Sequence, residues 1–137
     1  MPQRLRVLLV DDDQTTNFLN KLLLTRLGVT EQVLLAANGE EALRILAQQC
    51  AELTSCPNLI LLDMNMPVLN GLAFLEAYTQ LPSPIQHTIV IVMLTTSLHP
   101  VDLAKAEQLP INGFLNKPLT EEKVAALLRE HFAPTHL

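Results

Sequence analysis

The stretch Leu59-Ile60-Leu61-Leu62-Asp63-Met64-Asn65-Met66-Pro67 ends an apolar run on a carboxylate and then turns at a proline. Consecutive apolar residues bounded in this way predict a strand buried on both faces, as in a parallel sheet. A second apolar run, Leu5-Arg6-Val7-Leu8-Leu9-Val10, also ends in acid, at Asp11-Asp12-Asp13. Because the carboxyl ends of parallel strands meet at one edge of a sheet, the two runs predict one acidic site.

Similar apolar runs recur along the chain, and segments of helical length and periodicity separate them. The runs cover residues 5–10, 32–37, 59–62, 88–94 and 113–115. Strand and helix therefore alternate five times, which predicts an α/β fold: a five-stranded doubly wound parallel sheet with five helices. The predicted helix starts are Asp13, Asn38 with Glu41, Asn70, Pro100, and Thr120 with two following glutamates.

The periodicity of two helices predicts which of their faces pack on the sheet. At about 100° per residue, one half of the first helix collects most of its large apolar residues and Leu24 lies outside that half. The residues in this half are Phe18, Leu19, Leu22, Leu23 and Leu27. The last helix places Val124, Leu127, Leu128 and Phe132 along one stripe, which predicts that this stripe docks on the sheet.

Bulk composition bounds the class of protein. The 137 residues, 49% of them hydrophobic, fit a single domain over 1–137 with a core over about 4–132. The net charge of −5 argues against direct binding to nucleic acid. The first apolar run is too short for a signal peptide or a membrane span, which predicts a cytoplasmic protein without membrane insertion. Cys50 and Cys56 are interpreted as ordinary thiols rather than as a disulfide or a zinc site.

The predicted strand ends bring several chemically active side chains together. Three converging carboxylates, Asp11, Asp12 and Asp63, cannot all stay ionised unaided, which predicts a hard divalent cation, Mg²⁺. The main-chain carbonyl of Asn65 and water molecules would complete the ligands. An aspartate beside such a cation can attack phosphorus and form an aspartyl phosphate, and Lys117 at another strand end would offset its charge.

These residues match a known pattern. Asp11-Asp12, Asp63, Thr95 and Lys117-Pro118, with Met66-Pro67 and Gly71 between them, resemble the receiver domain of two-component response regulators, of the stand-alone kind that chemotaxis regulators represent. The resemblance covers essentially the whole chain. It implies the flavodoxin-like strand order 2-1-3-4-5. It also implies site roles: Asp63 as phosphoacceptor, Asp11 and Asp12 as metal-site acids, Thr95 as switch hydroxyl, Lys117 as phosphoryl contact and Phe114 as aromatic switch residue.

The resemblance also implies partners and a mode of action. The phosphodonor would be a sensor histidine kinase or a histidine phosphotransfer protein, and the output would be a changed affinity for an unknown downstream protein. The chain would not be an enzyme with external substrates, because it would catalyse only its own phosphorylation and dephosphorylation. It would be a monomer or a phosphorylation-dependent dimer, with its output surface on the fourth helix, fifth strand and fifth helix.

Several alternatives stay open at this stage. A phosphatase of the haloacid dehalogenase type would need a carboxylate two residues after the nucleophile, where this chain has Asn65. A flavodoxin-like nucleotide binder is opposed by the acidic loop that begins at Asp11, because it would repel a flavin phosphate. A one-residue register error would give the role of Thr95 to Thr96, and Phe114 fits a static core aromatic as well as a switch.

Overall fold

The computed structural model describes residues 4–52, 55–64, 70–81, 85, 89–95, 104, 107–109 and 111–132. Its strands are β1 (Leu5–Val10), β2 (Thr30–Ala36), β3 (Leu59–Asp63), β4 (Val90–Thr95) and β5 (Gly113–Asn116). They form one sheet in the order β2-β1-β3-β4-β5, and every pairing is parallel. The predicted fold class and strand order are confirmed.

Four helices lie within the described residues: α1 (Gln14–Leu27), α2 (Gly39–Gln49), α3 (Gly71–Tyr78) and α4 (Glu121–Phe132). The sequence predicts five helices, and the start predicted at Pro100 lies outside the described residues. The side chains of Asp13, Asn38 and Asn70 each accept a hydrogen bond from a main-chain N–H of the helix that follows, as predicted. Among the described helices, none is long and apolar enough to cross a membrane.

The core lies in two layers, one on each face of the sheet. Alternate residues of the central strands point to opposite layers, so that Leu8 and Ile60 pack toward α2 and α3 while Leu9 and Leu61 pack toward α1 and α4. Burial on both faces is the reason that these strands are continuously apolar. The predicted stripe of the last helix is confirmed: Val124 and Leu127 are buried, and Leu128 and Phe132 pack against them half-buried.

The predicted buried face of α1 is wrong for Phe18, Leu19, Leu22 and Leu24, whereas Leu23 and Leu27 are half-buried and pack against the core as predicted. Leu24 is only 2% exposed, whereas Phe18 and Leu19 are 57% and 56% exposed and Leu22 is 41% exposed. The physical reason is Asn17, which is buried and donates from Nδ2 to the carbonyl oxygens at the ends of two strands, Asp11 O at 3.0 Å and Ala36 O at 3.1 Å. Hydrogen bonds to the strand ends therefore set the rotation of the helix, and three of its large apolar residues face solvent.

The interpretation of the two cysteines as free thiols is also wrong, because a disulfide joins Cys50 and Cys56. Cys50 caps the end of α2 and donates its main-chain N–H to Leu46 O at 2.8 Å. Cys56 lies three residues before β3, and its carbonyl oxygen accepts from Arg6 Nε at 2.9 Å. These main-chain contacts bring the two Cα atoms within 4.4 Å, which a sequence spacing alone does not reveal.

Candidate functional site

The acidic residues that follow β1 and β3 form one cluster. Val10 and Leu62 are partners in the sheet register, so that the next residue of each strand, Asp11 and Asp63, lies at the same edge. The carboxylate oxygens of Asp11, Asp12 and Asp63 lie within 4.8 Å of one another. Asp11 and Asp63 are buried, and Asp12 is exposed. The cluster is therefore closed by the protein on one side and open to solvent on the other.

Lys117 supplies the positive charge of this cluster. Its Nζ lies 2.7 Å from Asp11 Oδ2 and 3.2 Å from Asp63 Oδ1, and its side chain is 19% exposed. Burial disfavours the charged ammonium, but the hydrogen bond to Asp11 and the charges of Asp11 and Asp63 outweigh it, so the pKa of Lys117 is raised. The main-chain N–H of Lys117 donates to Thr95 O at 2.8 Å, which fixes the lysine beside the end of β4.

Thr95 and Phe114 occupy neighbouring strands. Thr95 ends β4 one residue after Leu94, the register partner of Asp63, and it is fully buried. Phe114 is half-buried on β5 and packs against the core layer that contains α2 and α3. It also lines a cavity of about 60 Å³ between β5 and α4. Asn65 and Thr96 lie outside the described residues, so their predicted roles stay predictions.

Two residues that shape the site carried no assigned packing role in the sequence. Gly71 begins α3 directly against the acid-bearing strand: a Cβ there would lie 2.7 Å from Asp63 O, closer than a side chain tolerates. A glycine just after the cap Asn70 is only a weak signal of this contact. Asn17 ties α1 to the carbonyl of Asp11, and its one signal in the sequence is a pair of asparagines, 17 and 20, three apart on a helix.

A groove of about 390 Å³ begins at Lys117 and runs along α1. One wall is Lys117, Pro118 and Leu119, and the other contains Leu19 and Leu22, two of the exposed apolar residues of the helix. The acid cluster and the apolar face of α1 are therefore parts of one continuous surface.

The donor set of the cluster fits a hard divalent cation. Three carboxylates at −1 and one ammonium at +1 leave a formal charge of −2, and the ligand atoms are all oxygens. Oxygen ligands with an open side suit an ion that keeps part of its water shell, as Mg²⁺ does. The structure thus contains an acidic cluster that can hold a metal ion, at the predicted edge of the sheet.

The strand order and the cluster of three aspartates with a lysine at the carboxyl ends of the strands are typical of an α/β signalling domain of the receiver type. The family model described as response regulator receiver domain matches residues 7–129, and the chain belongs to that family. Receiver domains are signalling proteins rather than enzymes that turn over external substrates.

Curated relatives and solved structures agree with this assignment. The chain is 32% identical over 130 residues to a probable chemotaxis protein CheY from Rhizobium etli, across 95% of this chain and 94% of that one. It is 32% identical over 112 residues to the response regulator Rcp1 of Synechocystis, across 81% and 75%. A two-component response regulator from Cytophaga hutchinsonii superposes with a TM-score of 0.85 at 29% identity, covering 96% of this chain and 100% of that chain. The chemotaxis protein CheY4 of Vibrio cholerae gives a TM-score of 0.78 at 29% identity, covering 94% and 99%. The dehalogenase-type alternative gains no support from these similarities.

Proposed function

We propose that this receiver accepts a phosphoryl group on Asp63 from a phosphohistidine protein and signals by a conformational change, as a member of a two-component phosphorelay. One observation carries the proposal. The Asp63 carboxylate is buried at a strand end, 3.2 Å from Lys117 Nζ and within 4.8 Å of the oxygens of Asp11 and Asp12. This arrangement presents a nucleophilic oxygen with positive charge on one side and metal ligands on the other.

In the proposed transfer, an Asp63 oxygen attacks the phosphorus of the phosphohistidine. A P–O bond forms, the P–N bond breaks, and the released imidazole nitrogen takes up a proton. Asp11, Asp12, Asp63 and the Asn65 carbonyl would hold Mg²⁺, which would supply charge neutralisation for the phosphoryl oxygens. Lys117 lies close enough to Asp63 to exchange its carboxylate contact for one to a phosphoryl oxygen. The receiver would thus catalyse its own phosphorylation and, by attack of water, its own dephosphorylation.

The charge balance of the site supplies the signal. Three carboxylates, one Mg²⁺ and Lys117 sum to zero before transfer, whereas afterwards two carboxylates at −2 and a phosphoryl of about −2 leave about −1. The buried hydroxyl of Thr95 would offset this excess with a charge-assisted hydrogen bond of about 1.5–3 kcal/mol. That energy shifts a two-state equilibrium by about one to two decades. Phe114, half-buried on the neighbouring strand β5, would be the aromatic that moves with Thr95.

The surface around the site supports a phosphohistidine protein as the donor, either a sensor histidine kinase or a histidine phosphotransfer protein. Its histidine must reach Asp63, and the groove that starts at Lys117 continues onto the exposed apolar residues Leu19 and Leu22. A protein docked there would bury this apolar surface while it presented its histidine to the acid cluster. The downstream target would bind the predicted output surface, which comprises the fourth predicted helix, β5 and the last helix, labelled α4 here. The chain would act in the cytoplasm, as a monomer or a phosphorylation-dependent dimer.

Incubation with acetyl phosphate and Mg²⁺, followed by intact-mass measurement, tests the phosphoacceptor. The wild-type chain should gain one phosphoryl mass, Asp63→Asn should gain none, and Asp13→Asn should label as the wild type does, because Asp13 only caps α1. Labelling that persists in Asp63→Asn would refute the assignment. Sustained turnover of phosphate monoesters would instead favour the dehalogenase-type phosphatase.

A second pair of variants tests the donor surface. Leu22→Glu places a charge in the groove and should slow transfer from a phosphohistidine protein at least tenfold, since about 1.4 kcal/mol of lost docking energy suffices. Acetyl phosphate labelling of this variant should be unchanged. The control is Leu35→Glu, at a position 37% exposed on β2 and outside the residues that line the groove. Equal transfer rates for the two variants would contradict docking at α1.

A further inference from the structure

We infer that Cys50 and Cys56 form a reversible thiol–disulfide couple that reacts with small thiols and disulfides. The pair lies at the amino-terminal ends of the strands, opposite the acid cluster at their carboxyl ends. The pair is bonded between the end of α2 and the segment that leads into β3. Five residues of β3 separate that segment from the Asp63 end, which is about 17 Å. The couple is therefore distinct from the proposed phosphorylation site, and it does not depend on the chemistry of Asp63.

The main-chain contacts around the pair favour a chain that stays folded in both redox states. Cys50 N–H donates to Leu46 O, Arg6 Nε donates to Cys56 O, and the main-chain N–H of Arg6 donates to Asn58 Oδ1. None of these bonds involves sulfur, so reduction leaves each of them intact. Both side chains belong to an apolar core cluster with Leu46, and free cysteine packs in such surroundings as a small hydrophobic residue.

The two sulfurs differ in access, which assigns the order of exchange. Cys56 is 0% exposed, whereas Cys50 is 7% exposed and is followed by the exposed residues Ala51 and Glu52. A small thiolate therefore attacks Cys50 Sγ, forms a mixed disulfide there, and releases Cys56 as a thiolate that takes up a proton. A second small thiolate attacks the outer sulfur of the mixed disulfide. That step releases the Cys50 thiolate, which is then protonated, and yields the oxidised small disulfide, so two electrons pass to the protein.

The oxidised and reduced forms should differ locally rather than globally. The bond closes a loop with a sequence separation of six, so it restricts how far the end of α2 opens from the segment before β3. Without the bond, the segment keeps only its non-covalent contacts and opens more often. Compartments rich in small thiols keep most cysteines reduced, and the oxidised fraction of this pair would follow the redox potential of the thiol pool. The local stability of the end of α2 and of the segment before β3 would thus depend on the redox state of the thiol pool.

Titration in buffers of reduced and oxidised glutathione, with alkylation of free thiols and intact-mass measurement, tests the couple. We expect one transition from two alkylated cysteines to none as the buffer becomes more oxidising, with an unchanged far-ultraviolet circular dichroism spectrum on both sides. Hydrogen exchange of amides 50–58 should be at least threefold faster in the reduced form, while exchange of β3 should change less. Two alkylatable thiols even with excess oxidised glutathione would overturn the inference, and so would a disulfide that excess reduced glutathione leaves intact in the folded chain.

Two single variants test the order of exchange. With oxidised glutathione, Cys56→Ser should gain one glutathione on Cys50, and Cys50→Ser should react at least tenfold more slowly because Cys56 is fully buried. Equal rates, or faster reaction of Cys50→Ser, would overturn the assignment of Cys50. If serine disturbs the core, the alanine variants of the same two positions provide the same comparison. Since no readout uses phosphorylation, failure here is distinguishable from failure of the Asp63 proposal.

Discussion

Replacing Asp12 by asparagine should make the protein more stable than the wild type without magnesium and less stable than the wild type with magnesium. Without a divalent cation, the Asp12 carboxylate lies within 4.8 Å of two others, and the Lys117 ammonium contacts the cluster through Asp11 and Asp63. Two unit charges at that distance repel by about 1 kcal/mol in water. The variant removes two such repulsions and one attraction to the ammonium, so its free energy of unfolding should be about 1 kcal/mol higher than that of the wild type.

With magnesium the order should change. An ion that binds only the folded chain stabilises it by about 2.7 kcal/mol at one hundred times its dissociation constant. If loss of the Asp12 ligand weakens binding about a hundredfold, the same concentration stabilises the variant by only about 0.4 kcal/mol. The wild type would then gain about 2.3 kcal/mol more than the variant and become the more stable protein by about 1 kcal/mol.

Urea unfolding followed by circular dichroism at about 222 nm, with magnesium and with a chelator, measures both orders. The matched control is Asp13→Asn, which makes the same change of charge one residue away, outside the carboxylate cluster, and keeps a side chain that caps α1. Its gain from magnesium should equal that of the wild type. If Asp12→Asn is less stable than the wild type in chelator, repulsion among the carboxylates is refuted. If magnesium stabilises Asp12→Asn as much as the wild type, Asp12 is refuted as a metal ligand.

Three other predictions concern buried residues and close packing. Burial raises the pKa of Tyr78 from 10.0 to about 12, so the free energy of unfolding should fall by at most about 2.7 kcal/mol as pH rises from the first value to the second. In Tyr78→Phe, urea unfolding at several pH values should show a smaller fall of the free energy of unfolding over this alkaline range. The same fall in variant and wild type would contradict the raised pKa of Tyr78. Leu24→Ala should lower the free energy of unfolding by about 3 kcal/mol, whereas Leu22→Ala should change it by less than about 0.5 kcal/mol, because only Leu24 is buried. Equal losses in urea would mean that α1 is rotated differently. Gly71→Ala should lower it by about 1–3 kcal/mol and slow acetyl phosphate labelling, since its Cβ would press on Asp63 O. Wild-type stability and labelling would show that this contact relaxes freely.

The parts of the fold that depend on local pattern were predictable from the sequence. Apolar runs located all five strands. The signal is clearest for β1, β3 and β4, because these strands are buried on both faces and are therefore almost continuously apolar. Asp13, Asn38 and Asn70 marked three helix starts, because a side-chain oxygen two or three residues before an unpaired N–H is a local contact. The convergence of Asp11 and Asp63 followed from one rule on parallel strand ends, which does not require knowledge of the side-chain packing.

The features that depend on distant contacts were not predictable. Hydrophobic periodicity treats Asn17 as an outward residue, yet its two bonds to strand-end carbonyls outweigh the burial of Phe18 and Leu19. The disulfide joins two segments whose approach depends on the tertiary fold, and Arg6, fifty residues before Cys56 in sequence, donates a hydrogen bond to the Cys56 carbonyl oxygen. The close approach of Gly71 to Asp63 O likewise appears only once α3 is set against β3.

The way in which Asn17 fastens α1 to the sheet has an evolutionary consequence. Because the amide and Leu24 hold the helix from its inner side, Phe18, Leu19 and Leu22 carry little of the stability of the fold. Mutations at such positions are nearly neutral for folding, so selection can act on them for other properties. After a gene duplication, descendants could therefore exchange these three side chains quickly and diverge in which proteins they recognise, while the inner half of the helix stays fixed.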